Sequence, residues 1–520
     1  MAIGDEFDPK KNGWSFHNWN DPYDPNHPIE QPGLSWDLYR RAYLAINPTQ
    51  DPIEAPLDCL FYETIFRNIA KPGNCFGMSM LGLALYKYGG FMGFCGPASF
   101  YTGHDTSGPD STDLHAAINV MHGRQFSAFG VQNFLDVAAA GQLNNAEAAY
   151  ARIESGLGSG DYAMLSIATS FNIGDNNAHT IIPYRVEETT PGTRVIHVWD
   201  SDRPYNDTYK DFYEQDLNKL TLTSPTSWTY DQNPGLRYGS NNGVSTDGVL
   251  YAGSEGGWCF SIPISLQLHK GRQPFSVDFA AASTVTMFLS GSGASVTQIE
   301  DDAGRRFYRS NRVHRDLSEI ETDDERRLEG VARWPWFGAA KGGEPPGEIF
   351  FFQRSAESPP LTVTVRGTSY RLLHAKPGHM LDVETTARAA ARDRFRLEGF
   401  ASDSQALEIH TDGEKRPFEI HQLRADNAAG DWRSIRIRNA RVTKADLRVQ
   451  THGKLEAVEV SSQKEKKEFD LEFRQYRSKE LASRSGGTHR VAAGKAIRLT
   501  PADWNALKKT DIDRSVKDRE

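Results

Sequence analysis

Gly73-Asn74-Cys75-Phe76-Gly77-Met78-Ser79 is the stretch on which the reading of this chain turns. Pro72-Gly73-Asn74 is turn-forming, and the run from Phe76 to Tyr88 is apolar on nearly all sides. A turn followed by an all-round apolar helix predicts a buried helix that begins at or near Cys75. Unpaired backbone N–H groups and the helix dipole at such a start favour a thiolate, the nucleophilic form of cysteine. Small residues at Gly77 and Ser79 allow close packing of that helix start. Taken alone, the same pattern also describes a buried, inert cysteine beside a tight turn.

Upstream, residues 1–35 are rich in Asp, Pro, Asn and aromatics, as in Asn18-Trp19-Asn20-Asp21-Pro22, and read as a turn-rich segment that packs its rings on a neighbour. Residues 36–150 read as helical: Phe61, Ile65 and Ile69 recur every fourth residue, and Val131 to Tyr150 supplies one or two more helices. Near residue 162 the texture changes to strands. Tyr162 to Ala168, His179 to Val186 and Arg194 to Trp199 are strand candidates, the last two joined by a Pro191-Gly192 turn. Helices first and strands second make an α+β domain over 36–265.

His179 opens its strand just after the polar loop Asn172-Ile173-Gly174-Asp175-Asn176-Asn177, and Asp200 ends the next strand in Val198-Trp199-Asp200-Ser201-Asp202. A hairpin sets the start of one strand beside the end of its partner, so Asp200 falls near His179. A carboxylate there can fix the imidazole tautomer and stabilise its charged form. Asp202 competes for that role. The spacing places His179 104 residues after Cys75 and Asp200 21 residues after His179.

With this order of Cys, His and Asp, the chain resembles the papain-like cysteine peptidase superfamily, and within it the bacterial branches related to bacteriocin-processing peptidases. Phe76 after the cysteine, the strand-opening His179 and the Trp199-Asp200-Ser201-Asp202-Arg203-Pro204 run carry the resemblance, which covers roughly residues 40–265. It implies a papain-like fold, a helical half plus an antiparallel sheet, in which Cys75 is nucleophile, His179 base and Asp200 orienter. It also implies a protein or peptide substrate cut at a peptide or isopeptide bond through an acyl-enzyme. Members of the family carry a glutamine six residues before the nucleophile to complete the oxyanion hole; here that position is Ile69. Asn68, Asn74, Asn18 and Gln125 are the candidates for the second donor, beside the backbone N–H of Cys75. Transglutaminase-like acyl transferases share the residue order, typically with a shorter Cys-to-His distance.

The remaining sequence reads as all-β. Val285 to Leu289, Leu361 to Val365, Ser434 to Arg438 and Leu455 to Val460 are short strand candidates punctuated by turns such as Asp302-Ala303-Gly304. They suggest two sandwich-like modules at 266–385 and 386–500, then a charged tail at 501–520. No repeat of fixed period is apparent. These modules are candidates for binding a protein or glycan partner, either as the chain's sole function or as the targeting part of a toxin or effector. The segment before residue 36 is a candidate plug for the cleft.

Composition narrows the classes. Residues 1–265 carry 15 Lys and Arg against 30 Asp and Glu, and the rest 44 against 38, so the two halves differ in sign. No basic run is long enough for a nucleic-acid stripe. No apolar run reaches membrane-spanning length, and the start is not a signal peptide, so a cytoplasmic site or signal-independent export is expected. The 4 cysteines, Cys59, Cys75, Cys95 and Cys259, form neither a disulfide framework nor a thiolate zinc site. His104, Asp105, Asp110, His115 and His122 resemble a ligand set, but His115 and His122 are about two helical turns apart, too far to share one ion easily. No phosphate loop is present, so ATP-driven chemistry has no support; no cofactor and no metal are expected.

Overall fold

A computed structural model describes residues 3–4, 7–18, 23–24, 27–28, 34–43, 56–70, 73–101, 114–169, 178–233, 249–270, 284–291, 293–307, 328, 331–334, 347–353, 358–376, 378–387, 389–399, 404–412, 416–425, 431–442, 447–477, 480–508 and 510–518. The chain forms two compact units. One comprises Met1–Pro48, Tyr62–Phe275 and Pro335–Pro346; the other comprises Thr49–Phe61, Ser276–Trp334 and Gly347–Glu520.

The first unit is α+β. Its longer helices are Cys75–Tyr88, Leu114–Gly123, Ala128–Ala139 and Ala146–Ser159. Its sheet is antiparallel, in the order Leu250–Ala252, Trp228–Asp231, Lys219–Leu222, Thr193–Trp199, Ala178–Thr190, Ala163–Ala168, Trp258–Pro263, with Ile3–Gly4 added beside Ala178–Thr190. The two edge strands are consecutive in the chain. Only five residues separate Ala252 from Trp258, a link of at most about 20 Å, whereas seven flat strands would set the edges about 29 Å apart. The sheet therefore curls. A Cβ on Gly257 would lie 2.5 Å from the Ala252 carbonyl and 2.9 Å from that of Ala168, so glycine fits where the curl closes.

Two layers of helix cover the sheet. Helix Ala146–Ser159 lays Ala146, Ala149, Tyr150 and Ile153 on a core of Leu165, Ile167, Ile181, Val186, Ile196 and Val198. The Cys75 helix packs on the strand Ala178–Thr190, where Ser79 Oγ donates to the Thr180 carbonyl at 3.0 Å. Its burial on all sides from Cys75 to Leu85 explains why that stretch is apolar nearly all round.

The second unit is all-β, and its organisation differs from the expected pair of modules. Two antiparallel nine-stranded sheets run through it, and both continue across 385/386: His379–Thr385 pairs with Arg416–Ala425 in one sheet, and Leu361–Gly367 with Ala391–Glu398 in the other. From residue 370 onward six hairpins alternate between the sheets, beginning at Tyr370, Ala391, Arg416, Leu447, Lys467 and Lys495. Rings bridge the two sheets, with Phe395 meeting Tyr370 and Phe418 edge-on at 6.1 Å each. Within the expected charged tail at 501–520, Ile512–Asp518 forms an edge strand, paired in register with Lys495–Pro501. Among the described residues no helix is long and apolar enough to cross a membrane.

Candidate active site

The turn before Cys75 depends on glycine. Gly73 has φ 139°, in the region that favours glycine, and its N–H donates to the Ala70 carbonyl at 3.0 Å. Helix Cys75–Tyr88 starts at once, with Asn74 as its cap residue. Two residues on, a Cβ at Gly77 would lie 2.2 Å from the Ile118 carbonyl, so the backbones of this helix and Leu114–Gly123 cross in direct contact. His122 seals the crossing: its Nδ1 accepts the Gly77 N–H at 3.4 Å and its Nε2 donates to the Ile69 carbonyl at 3.2 Å. Burial lowers its pKa to about 4, against a raising effect of the Ile69 bond, so at neutral pH it is uncharged.

His179 is the second residue of its strand, opposite Ile167. On its other side Ile182 pairs with Trp199, which carries Asp200, one step past the strand end, to a position diagonal to the histidine. His179 Nε2 lies 2.7 Å from Asp200 Oδ1. Both side chains and Cys75 are fully buried.

Every oxygen position of Asp200 is occupied. Oδ1 also accepts the Asp202 N–H at 2.7 Å, while Oδ2 accepts from the Tyr230 hydroxyl at 2.5 Å and Gln232 Nε2 at 2.8 Å. Burial alone would raise this carboxyl, but the charge of His179 and the bonds from His179, Tyr230 and Gln232 hold it well below the usual range. Burial likewise pushes His179 down, yet Asp200, then Asp202 and Cys75, outweigh it and hold the imidazolium well above its ordinary value. Tyr251 is stacked against that ring, 6.5 Å between centroids at 19°, with Tyr230 stacked beyond it at 6.1 Å.

Asp202 is also at the site, on the other nitrogen: its Oδ2 is 3.8 Å from His179 Nδ1. Of the oxyanion candidates, Asn18 is bonded to the residue before Cys75 and to Asp202. Its Oδ1 accepts the Asn74 N–H at 2.6 Å and its Nδ2 donates to Asp202 Oδ1 at 3.1 Å. Asn74 therefore meets Asn18 through its backbone. Gln125, in the turn Arg124–Phe126, gives its Nε2 to the His122 carbonyl at 3.0 Å. Asn68 closes the turn Phe66–Asn68, and its side chain lies outside the described residues.

The other cysteines have different surroundings. Cys259 is buried in the strand Trp258–Pro263, and burial raises its pKa strongly. Cys95 is exposed in the short hairpin Gly90–Phe91/Phe94–Cys95, within the aromatic stretch 91–97. Cys59 is half-buried on helix Pro56–Thr64. His115 lies on the same helix as His122, whose nitrogens are both bonded; His104, Asp105 and Asp110 fall outside the described residues.

His179, Asp200 and Asp202 form the one described group of three ligand-type side chains within 4.8 Å. All four acceptor directions of Asp200 are already taken by the protein, so a cation would have to break those bonds, and we assign no metal here.

Sequence reasoning did not find Tyr230, Gln232 or Tyr251. Tyr230 and Gln232, two residues apart at the end of one strand, point to the same face. That alternation was readable, but the long-range register that brings them to Asp200 was not. Compared with protein-family models, with curated proteins and with solved structures, the chain matches none.

Proposed function

We propose that the first unit is a papain-like cysteine hydrolase that cleaves a peptide or isopeptide bond. The observation that carries this reading is the 2.7 Å bond from His179 to a fully bonded Asp200, with Cys75 buried at the start of the helix that packs on the strand of His179.

The chemistry follows from which nitrogen is free. Asp200 holds Nε2, so Nδ1 is the nitrogen left to serve Cys75. Sγ attacks the carbonyl carbon as thiolate, and the oxyanion forms toward the Cys75 backbone N–H. His179 Nδ1 then protonates the leaving amine, giving a thioester. Next, Nδ1 takes a proton from water as that water attacks, and the collapsing intermediate breaks its C–S bond, releasing the acid and restoring the thiolate beside the imidazolium. Asp200 stays ionised throughout and stabilises the imidazolium.

Mass-spectrometric labelling with an epoxide inhibitor of such enzymes tests the reading, comparing wild type, Cys75→Ala and His179→Ala. Adduct at Cys75 only, lost with His179→Ala, is the expected result. Equal labelling without His179 would overturn it. Adding a primary amine to a substrate assay separates the outcomes of the thioester: amide product in place of acid would make the enzyme an acyl transferase.

A further inference from the structure

Asp200 and Asp202 sit on opposite nitrogens of one imidazole. Asp200 has closed onto Nε2, whereas Asp202 Oδ2 stops 3.8 Å from Nδ1, just beyond hydrogen-bonding reach. Nδ1 is the nitrogen that Cys75 needs. A charge-assisted bond between Asp202 and that N–H would be about 2.8 Å long, so a shift of roughly 1 Å would pair the imidazolium with a carboxylate in place of the thiolate.

Asn18 opposes that shift. Its Nδ2 donates to Asp202 Oδ1 at 3.1 Å, the oxygen turned from the histidine. Asn18 is itself fixed at both ends: its N–H donates to the Ser201 carbonyl at 2.9 Å, and its Oδ1 accepts from Asn74 N–H at 2.6 Å. The segment that bears it is anchored in the same unit. Trp14, fully buried, donates from Nε1 to the Met78 carbonyl at 2.9 Å, and Asn206 Nδ2 donates to the Ser15 carbonyl at 3.1 Å. Asn18 and Asp202 are buried at 3% and 4% exposure, so water does not readily replace their bond.

We propose that Asn18 is a positioning residue that holds Asp202 off His179 Nδ1 and so reserves that nitrogen for Cys75. This rests on the hydrolase reading above. The N-terminal segment is then a component of the site, and its removal lowers activity, the opposite of a plug. Among the described residues, the titratable and charged groups facing the His179 ring are Asp200, Asp202, Cys75 and the stacked Tyr251, with Arg203 joined through NH1 to the Asp202 carbonyl.

The test is the rate at which a small alkylating reagent inactivates Cys75, measured across pH in the full chain for wild type, Asn18→Ala, Asp202→Asn, the double variant and His179→Ala. Asn18→Ala is expected to slow the reaction at neutral pH about tenfold, the size of one lost charge-assisted bond, and to move the acid limb of the profile to higher pH. Asp202→Asn, with no carboxylate to intrude, keeps a limb at or below the wild-type position. The double variant follows Asp202→Asn, because Asn18 acts through Asp202. Slowing of the double variant by the same factor as Asn18→Ala would overturn the proposal, and would be the result if Asn18→Ala only disturbed folding. An Asn18→Ala profile overlying wild type would overturn this proposal alone. A wild-type rate indifferent to His179→Ala would overturn the hydrolase reading and this proposal with it.

Discussion

The Tyr230 hydroxyl donates to Asp200 at Oδ2, the oxygen that His179 does not use, and does so from a strand two places away in the sheet. Burial first, then the charge of Asp200, holds Tyr230 well above its usual titration range, so it stays a donor across physiological pH. The acidity of the pair is therefore set partly by a residue remote in sequence.

Tyr230→Phe should leave the fold intact and weaken the anchoring of Asp200. Losing one hydrogen bond to a buried carboxylate costs about 1.5–3 kcal/mol, so inactivation of Cys75 by an epoxide should slow by roughly tenfold or more. Equal rates in the two proteins would show that Gln232 and the Asp202 N–H suffice.

Gly77→Ala is expected to be among the most damaging conservative changes in the first unit. The new methyl would meet the Ile118 carbonyl at 2.2 Å, together with His122 Cβ and N at 2.9 Å. Backbone cannot yield cheaply there, and overpacking of this kind costs about 1–3 kcal/mol. Chemical unfolding should report the loss, and the displaced helix start should slow the reaction of Cys75 as well.

His122 should make the first unit acid-sensitive. Its folded pKa of about 4 lies below its ordinary 6.5, so the unfolded chain binds its proton first as pH falls. Stability is expected to decline from about pH 6.5 to about pH 4, by an order of 3 kcal/mol at most, and to show no further loss from this group below that. Unfolding midpoints of wild type and His122→Asn across that window check the sign: the difference between them should shrink as pH falls.

In the second unit Arg416 is buried at 1% exposure and Asp393 is fully buried. Arg416 NH1 donates to Asp393 Oδ2 at 2.7 Å and to the Gly367 carbonyl at 3.1 Å, and Tyr370 donates to the same Asp393 oxygen. Arg416→Met strands the carboxylate and should cost about 3–5 kcal/mol. Adding Asp393→Asn should recover a good part of that loss, measured by urea unfolding of the full chain.

Local signals carried some of this and not the rest. The helix start at Cys75 was legible because a glycine turn and an all-round apolar run adjoin there. The proximity of His179 and Asp200 was legible because a single hairpin connects them. Tyr230, Gln232 and Tyr251 reach the site through pairings whose register no local pattern encodes, and Asn18, named only as an oxyanion donor, reaches it through a bond to Asp202. The continuity of the two large sheets was hidden for a related reason. Each hairpin reads alike whichever sheet it joins, and starts at 370, 391, 416, 447, 467 and 495 share no fixed period. Ile512–Asp518 looked like a charged tail because an edge strand needs charge on its open side to avoid pairing with other chains; its residues from Asp513 to Asp518 are all exposed.

The curl of the first sheet works as a hoop fastened by a short clasp, residues 253–257. Tyr251, two residues before the start of the clasp, leans on the ring of His179, although five other strands separate its own from the last strand, Trp258–Pro263. The circumference of the hoop thus sets how tightly the imidazole is held. Lengthening the clasp by a residue or two would slacken that grip without touching Cys75, His179 or Asp200, which makes this connection a natural place to tune the site from a distance.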